Sequence, residues 1–141
     1  MQVVDREKVI QFIKYCLVGV LNTLLTLGVI YVCTSFFGMN LLVSNVIGYI
    51  CGVTNSFLCN KQWVFQSKGG FRGEGVRFLI GFGVCYLLQL WVVWMLSSST
   101  LGTLLFKFGP IVISGDGIAT ILGNIVYTLA FFIYNRVVTF R

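Results

Sequence analysis

Four cations and a set of carboxamides carry the chemistry open to this chain. Asn60-Lys61-Gln62-Trp63-Val64-Phe65 and Asn135-Arg136-Val137-Val138-Thr139-Phe140 share one pattern, an Asn, a cation, three residues and a Phe, at a constant offset of 75. With Lys14 and Arg77, the cations Lys61 and Arg136 form a set suited to an anionic oxygen, because ammonium and guanidinium groups make charge-assisted hydrogen bonds to phosphate. The amides of Asn22, Asn55, Asn60, Asn124 and Asn135 can replace water around hydroxyl groups. Groups for making and breaking bonds are scarce. There is no His, so a His-ligated zinc site and a Ser-His-Asp or Cys-His catalytic group are excluded. The only acids are Asp5, Glu7, Glu74 and Asp116, which argues against a hydrolase built on paired carboxylates. Cys16, Cys33, Cys51, Cys59 and Cys85 are odd in number and form no CxxC pair. In apolar runs they act as small apolar residues, and neither a disulfide, a metal nor a cofactor is expected.

The elements that position these groups belong to a membrane protein. Of 141 residues, 57% are hydrophobic and 10% charged, against about 25% charged in soluble domains. No charge occurs from Tyr15 to Cys59, more than twice the roughly 20 residues that one helical crossing needs. That run breaks at Thr34-Ser35-Phe36-Phe37-Gly38-Met39-Asn40. It is too long for a signal-peptide core and lacks a small-x-small cleavage site. Two further uncharged runs follow, 78–106 and 117–135; the apolar part of the first ends at Ser97-Ser98-Ser99-Thr100. The reading is one transmembrane domain over 1–141, with helices at about 11–33, 41–59, 78–97 and 117–135. A cytoplasmic loop occupies about 60–77 and an outer interfacial segment about 98–116, where Pro110 would break any helix. Asp116 is expected to cap the last helix. Nine of the ten Lys and Arg residues lie in the N-terminus, the middle loop and the tail, and only Lys107 lies elsewhere. Both termini and the middle loop are therefore expected in the cytoplasm. The net charge of +6 suits membrane lipid rather than nucleic acid, because the basic residues flank long apolar runs.

The offset of 75 also pairs Phe57 with Phe132 and Gly48 with Gly123. Val18-Gly19-Val20 more weakly resembles Phe82-Gly83-Val84. The fold class expected is an all-α integral membrane protein of four transmembrane helices, arranged as two tandem parallel-repeat hairpins about an axis along the membrane normal. A cation ending a helix at the cytoplasmic face meets the negative end of the helix dipole and lipid phosphate. Trp63, Phe65 and Phe140 then settle in the interfacial belt. Anchoring alone would account for any single cation. Convergence of Lys14, Lys61, Arg77 and Arg136 at one depth would make a phosphate head-group site. Asn22, Asn45, Asn55, Gln89 and Asn124 either hydrogen-bond between helices or line a polar path for sugar hydroxyls, with Asn22 and Asn55 the first choices for such a path. Gly48-Tyr49-Ile50-Cys51-Gly52 is a GxxxG contact without a named partner helix. The spans contain no Asp or Glu, which disfavours a proton-coupled cation exporter. Small multidrug-resistance transporters match in size and helix number, but their membrane-embedded acid has no counterpart in helix 1.

Phe12-Ile13-Lys14-Tyr15, Val18-Gly19-Val20 and Asn22-Thr23 resemble the opening of the GtrA-like family of small four-helix membrane proteins. Asn55-Ser56-Phe57 with Asn60-Lys61-Gln62-Trp63-Val64-Phe65 resembles that family's signature at the end of helix 2. Arg77-Phe78 is similar to its helix 3 start, and Asn135-Arg136 with Phe140 to its ending. The likeness runs from about residue 10 to 141; it departs at Val137-Val138-Thr139, which lacks the aromatic found at Trp63. The resemblance implies flipping of a polyprenyl-phosphate-linked monosaccharide from the cytoplasmic to the outer leaflet of the inner membrane, for cell-surface polysaccharide glycosylation. It implies a membrane glycosyltransferase as partner. The alternative is a non-transporting anchor that recruits that transferase. Four short helices are few for a closed path, so a homodimer is expected. An enzyme is not.

Overall fold

The computed structural model describes residues 2–99, 105–108 and 111–141. Four long helices dominate it: α1 (Gln2–Ser35), α2 (Leu41–Cys59), α3 (Phe71–Ser97) and α4 (Gly115–Tyr134). A five-residue π-helix continues α2 (π1, Asn60–Val64) and another continues α4 (π2, Asn135–Thr139). Two strands, β1 (Leu105–Phe108) and β2 (Ile111–Ser114), precede α4. The apolar spans run 24 to 30 residues. At a 1.5 Å rise they exceed the roughly 30 Å hydrocarbon layer. Leu24, Tyr31, Leu87 and Trp94 are each more than 60% exposed. On helices apolar all round, such side chains are covered by lipid rather than by protein.

The chain divides into two compact units, Met1–Gly69 with Phe140 and Gly70–Thr139 with Arg141. In the first, α1 and α2 form a hairpin. Its turn uses Gly38 in the left-handed region (φ +59°), where a side chain is strained. Met39 N–H returns to the Cys33 carbonyl (3.0 Å), and the Asn40 side chain accepts from Leu42 N–H (2.8 Å) to cap α2. The GxxxG motif finds its partner in α1. A Cβ on Gly48 would sit 2.7 Å from Ile30 Cγ1, and one on Gly52 would strike the Thr26 hydroxyl. Lipid gives helices no hydrophobic drive to associate, so this close backbone approach, with its dispersion contacts, fastens the hairpin.

The second unit pairs α3 with α4. Gly81 lies under the Tyr134 ring, and a Cβ on Gly123 would sit 2.5 Å from Val93 Cγ2. Phe78 packs on Phe131 (ring centroids 5.0 Å), and Phe82 meets Tyr127 and Phe131 edge-on (6.2 Å each), a favourable aromatic geometry. Glycines admit the close approach at two levels, and an aromatic cluster fills the level between.

Three features depart from the sequence reading. α1 and α3 begin at Gln2 and Phe71, well before the apolar runs, because hydropathy marks the part in lipid while Arg72, Glu74 and Arg77 remain good helix formers in water. The connection expected as an interfacial segment contains an antiparallel ladder, Leu105 opposite Ser114 and Phe108 opposite Ile111, so the all-α expectation describes the spans but not this link. Two short apolar runs flanking Gly109-Pro110 carry that signal in the sequence; Thr100, Gly109 and Pro110, with the expected helix break, lie outside the described residues. The α4 cap is Ser114, whose hydroxyl accepts from Gly117 N–H (3.2 Å). Asp116 sits in the first turn, where it opposes the positive end of the dipole without capping it.

Gly52→Leu should lower hairpin stability by about 1–3 kcal/mol, the usual range for overpacking. Gly19→Leu, with nothing within 4 Å of its Cβ, should leave it unchanged. Thermal unfolding of the purified chain in detergent checks both.

Candidate functional site

In the first unit, the bonding of α2 widens at Asn60. Phe65 N–H returns five residues to the Asn60 carbonyl (2.8 Å), and Ser67 N–H returns to that of Lys61 (2.8 Å). Gln66 follows with φ +50°, a conformation uncommon for a residue with a side chain. Isolated π turns of this kind concentrate at functional sites. Asn60, Lys61 and Val64 are buried by it. The Asn60 amide donates to the Ser56 carbonyl (2.8 Å) and hydroxyl (3.2 Å), whereas its Oδ1 has no partner among the described residues. Lys61 is 4% exposed and donates from Nζ to the Gly69 carbonyl (2.6 Å). Lys14 holds Nζ 5.4 Å from the centre of the Trp63 ring, a cation–π contact. Gln11 donates to the Val64 carbonyl (3.2 Å) and so satisfies the widened end. Phe140 stacks on Phe65 (5.0 Å) and Phe57 (6.0 Å). It is buried, while Trp63 is 43% exposed.

In the second unit, π2 begins at Asn135, the counterpart of Asn60 at the offset of 75. Asn135 is fully buried, and among the described residues neither its Oδ1 nor its Nδ2 has a partner; the buried Thr139 hydroxyl has none there either. Each orphan of this kind costs about 1–3 kcal/mol. Arg136 follows Asn135 and is half-buried. Arg77 is exposed on α3, one residue before Phe78. Because Phe78 packs on Phe131 of α4, Arg77 and Arg136 lie at the same end of this hairpin.

Deeper in the spans each unit carries one polar rung between its helices. Asn55 Nδ2 donates to Asn22 Oδ1 (2.6 Å), and Cys59 donates to Asn55 Oδ1 (3.6 Å). Gln89 Nε2 donates to Asn124 Oδ1 (2.6 Å). The rungs differ in setting: Asn22 and Asn55 are half-buried, whereas Asn124 is exposed.

The structure thus joins Lys14 to Trp63, Asn22 to Asn55, Asn124 to Gln89 and Phe65 to Phe140. Lys14 and Lys61, both cations of the first unit, have separate partners. Sequence reasoning missed Ser56, Gln11, Thr139 and the Phe57–Phe140 stack. Only Thr139 had a readable signal, its place four residues after Asn135. The π geometry has none beyond the repeated Asn.

Four apolar helices tied by glycine contacts and carboxamide rungs define a multi-pass membrane protein. A family model described as the GtrA/DPMS transmembrane domain matches residues 14–140, and the chain belongs to that family. It is 34% identical over 88 residues to an uncharacterized membrane protein of Bacillus subtilis, covering 59% of each chain. It is 38% identical over 55 residues to the bactoprenol-linked glucose translocase of Shigella flexneri, covering 39% of this chain and 44% of that one. To the protein of that name from Salmonella phage P22 it is 28% identical over 130 residues, covering 92% of this chain and 94% of the other. The chain therefore spans about half the length of the first two relatives and nearly all of the third.

Asn135→Leu removes two orphaned polar atoms at nearly constant volume and should stabilise the chain by about 2 kcal/mol or more. Asn60→Leu removes one orphan but also the two bonds to Ser56, so gain and loss should nearly cancel. Melting midpoints check the assignment, with a clear rise for the first variant and little change for the second.

Proposed function

We propose that this protein moves a polyprenyl-phosphate-linked monosaccharide from the cytoplasmic to the outer leaflet of the inner membrane. The observation that carries the reading is the alignment with a protein named a bactoprenol-linked glucose translocase over 92% of this chain. The residues are compatible with it. A phosphate and a sugar cannot cross hydrocarbon unaided, and each hairpin brings two cations towards one end, Lys14 and Lys61 in the first and Arg77 and Arg136 in the second. Such cations attract the anion. Asn60, Asn124 and Asn135 supply the amides that would replace water around sugar hydroxyls, while the polyprenyl chain stays in lipid; Asn22 and Asn55, expected from the sequence as part of that path, bond to each other and fasten the first hairpin. Trp63, 43% exposed, is placed to anchor its exit in the interface, whereas Phe140, expected to do the same, is buried on Phe65 and Phe57 and packs instead.

The distribution of Lys and Arg supports cytoplasmic termini. The two hairpins are read as copies of one ancestral unit: each ends in a π-helix of five residues beginning at Asn, at the offset of 75. A homodimer and a membrane glycosyltransferase that makes the lipid-linked sugar complete the proposal.

The experiment is reconstitution of the purified chain in liposomes, following bactoprenol-linked glucose on each leaflet over time. Exchange should be faster than in protein-free liposomes and fall at least tenfold in Lys61→Ala with Arg136→Ala, with insertion intact. No acceleration across a range of sugars, with folding verified, would overturn the translocase reading in favour of an anchor for the transferase.

A further inference from the structure

α4 presents polar side chains on its outer surface deep within an apolar span. Asp116, Thr120, Asn124 and Thr128 follow one another at intervals of four residues, so they run as one stripe along the helix. Asp116, Thr120 and Asn124 are exposed and Thr128 is half-buried. Twelve residues at 1.5 Å make the stripe about 18 Å long, against a hydrocarbon layer of about 30 Å. At the offset of 75 the first hairpin has Leu41, Asn45, Tyr49 and Val53, so the stripe is not repeated at the matching positions.

The hydrogen-bonding state of these groups says what they are ready to meet. The Thr120 hydroxyl donates to the Asp116 carbonyl (2.8 Å) and the Thr128 hydroxyl to the Asn124 carbonyl (2.8 Å). With their protons committed, both oxygens are left as acceptors, as is the Asp116 carboxylate. Asn124 Oδ1 receives Gln89 (2.6 Å), which leaves its amide protons as the donors of the stripe. The stripe is thus mostly acceptors with one donor site, and it contains no cation. A phosphate, itself an acceptor, is repelled by that set. A polyhydroxylated group, which donates from every hydroxyl and also accepts, is complementary to it.

We infer that this stripe receives the saccharide head group of the lipid-linked sugar on the lipid-facing side of α3–α4, while the polyprenyl chain remains in the bilayer beside it. The inference rests on the translocase reading and gives it a place. A second copy of the chain is a poor occupant. Two copies with the same membrane topology meet about an axis along the membrane normal, so equivalent residues face each other at equal depth. That would set Asp116 against Asp116 and the Thr oxygens, their protons already spent, against one another.

The test is native mass spectrometry of the purified chain with bactoprenol-linked glucose and with bactoprenyl phosphate lacking the sugar. The wild type should prefer the glucose-bearing lipid at least tenfold. Thr120→Val with Asn124→Leu and Thr128→Val should bring the preference within twofold while leaving binding of the bare lipid unchanged. A melting midpoint near that of the wild type verifies folding, and Thr120→Val with Thr128→Val alone, nearly isosteric, should lose part of the preference. No preference in the wild type, or full preference in the triple variant, would overturn the inference. So would a disulfide-linked dimer formed by Thr120→Cys in membranes, with the five native cysteines replaced by alanine. Preference without accelerated leaflet exchange would sink the translocase reading and leave the saccharide site standing.

Discussion

A polar group in hydrocarbon has no water to fall back on, and the arrangement of this chain follows from that constraint. Backbone groups are satisfied by making every span a helix. Side-chain amides are satisfied by pairing two helices closely enough for one rung each, Asn22 with Asn55 and Gln89 with Asn124. The pairing in turn depends on residues without a Cβ. Gly48 and Gly52 let α2 lie against Thr26 and Ile30, and Gly81 and Gly123 let α3 and α4 approach. Each rung therefore rests on the glycines above or below it.

Where the helices leave the apolar region, the same constraint is met differently at the two ends. π1 is supported by the Asn60–Ser56 and Gln11–Val64 bonds. π2 buries the side chains of Asn135 and Thr139 without partners among the described residues. A protein selected for stability alone would fill the second position with Leu. A buried amide without a partner is the pattern of a site shaped by function, where local rules are broken. The outer surface of α4 shows the pattern again, with a polar stripe where lipid would favour Leu.

Much of this was legible in the residues. Uncharged runs locate four spans, and the offset of 75 alone picks out both helix exits. Three things were hidden, each for a physical reason. Hydropathy does not register where a helix continues into water, so the starts of α1 and α3 were missed. GxxxG states that a helix is approached closely but not by which neighbour; Thr26 and Ile30 answer that only in three dimensions. A π turn differs from an α turn by one residue per bond, and composition is nearly blind to it. The difference between the two rungs was equally hidden: as amides in apolar runs Asn22 and Asn55 are the first choices for a path, and only the packing shows Asn22 half-buried and Asn124 exposed.

That difference separates a fastening from a path, and it can be tested directly. Two paired replacements, Asn22→Leu with Asn55→Leu and Gln89→Leu with Asn124→Leu, would be compared for leaflet exchange of bactoprenol-linked glucose per folded molecule. The account predicts that the first pair lowers stability but leaves exchange within about twofold, an activation difference of only ~0.4 kcal/mol, while the second pair largely keeps its stability and loses most of its exchange. Equal losses from both pairs, or a loss confined to the first, would place the sugar inside the α1–α2 hairpin and contradict the account.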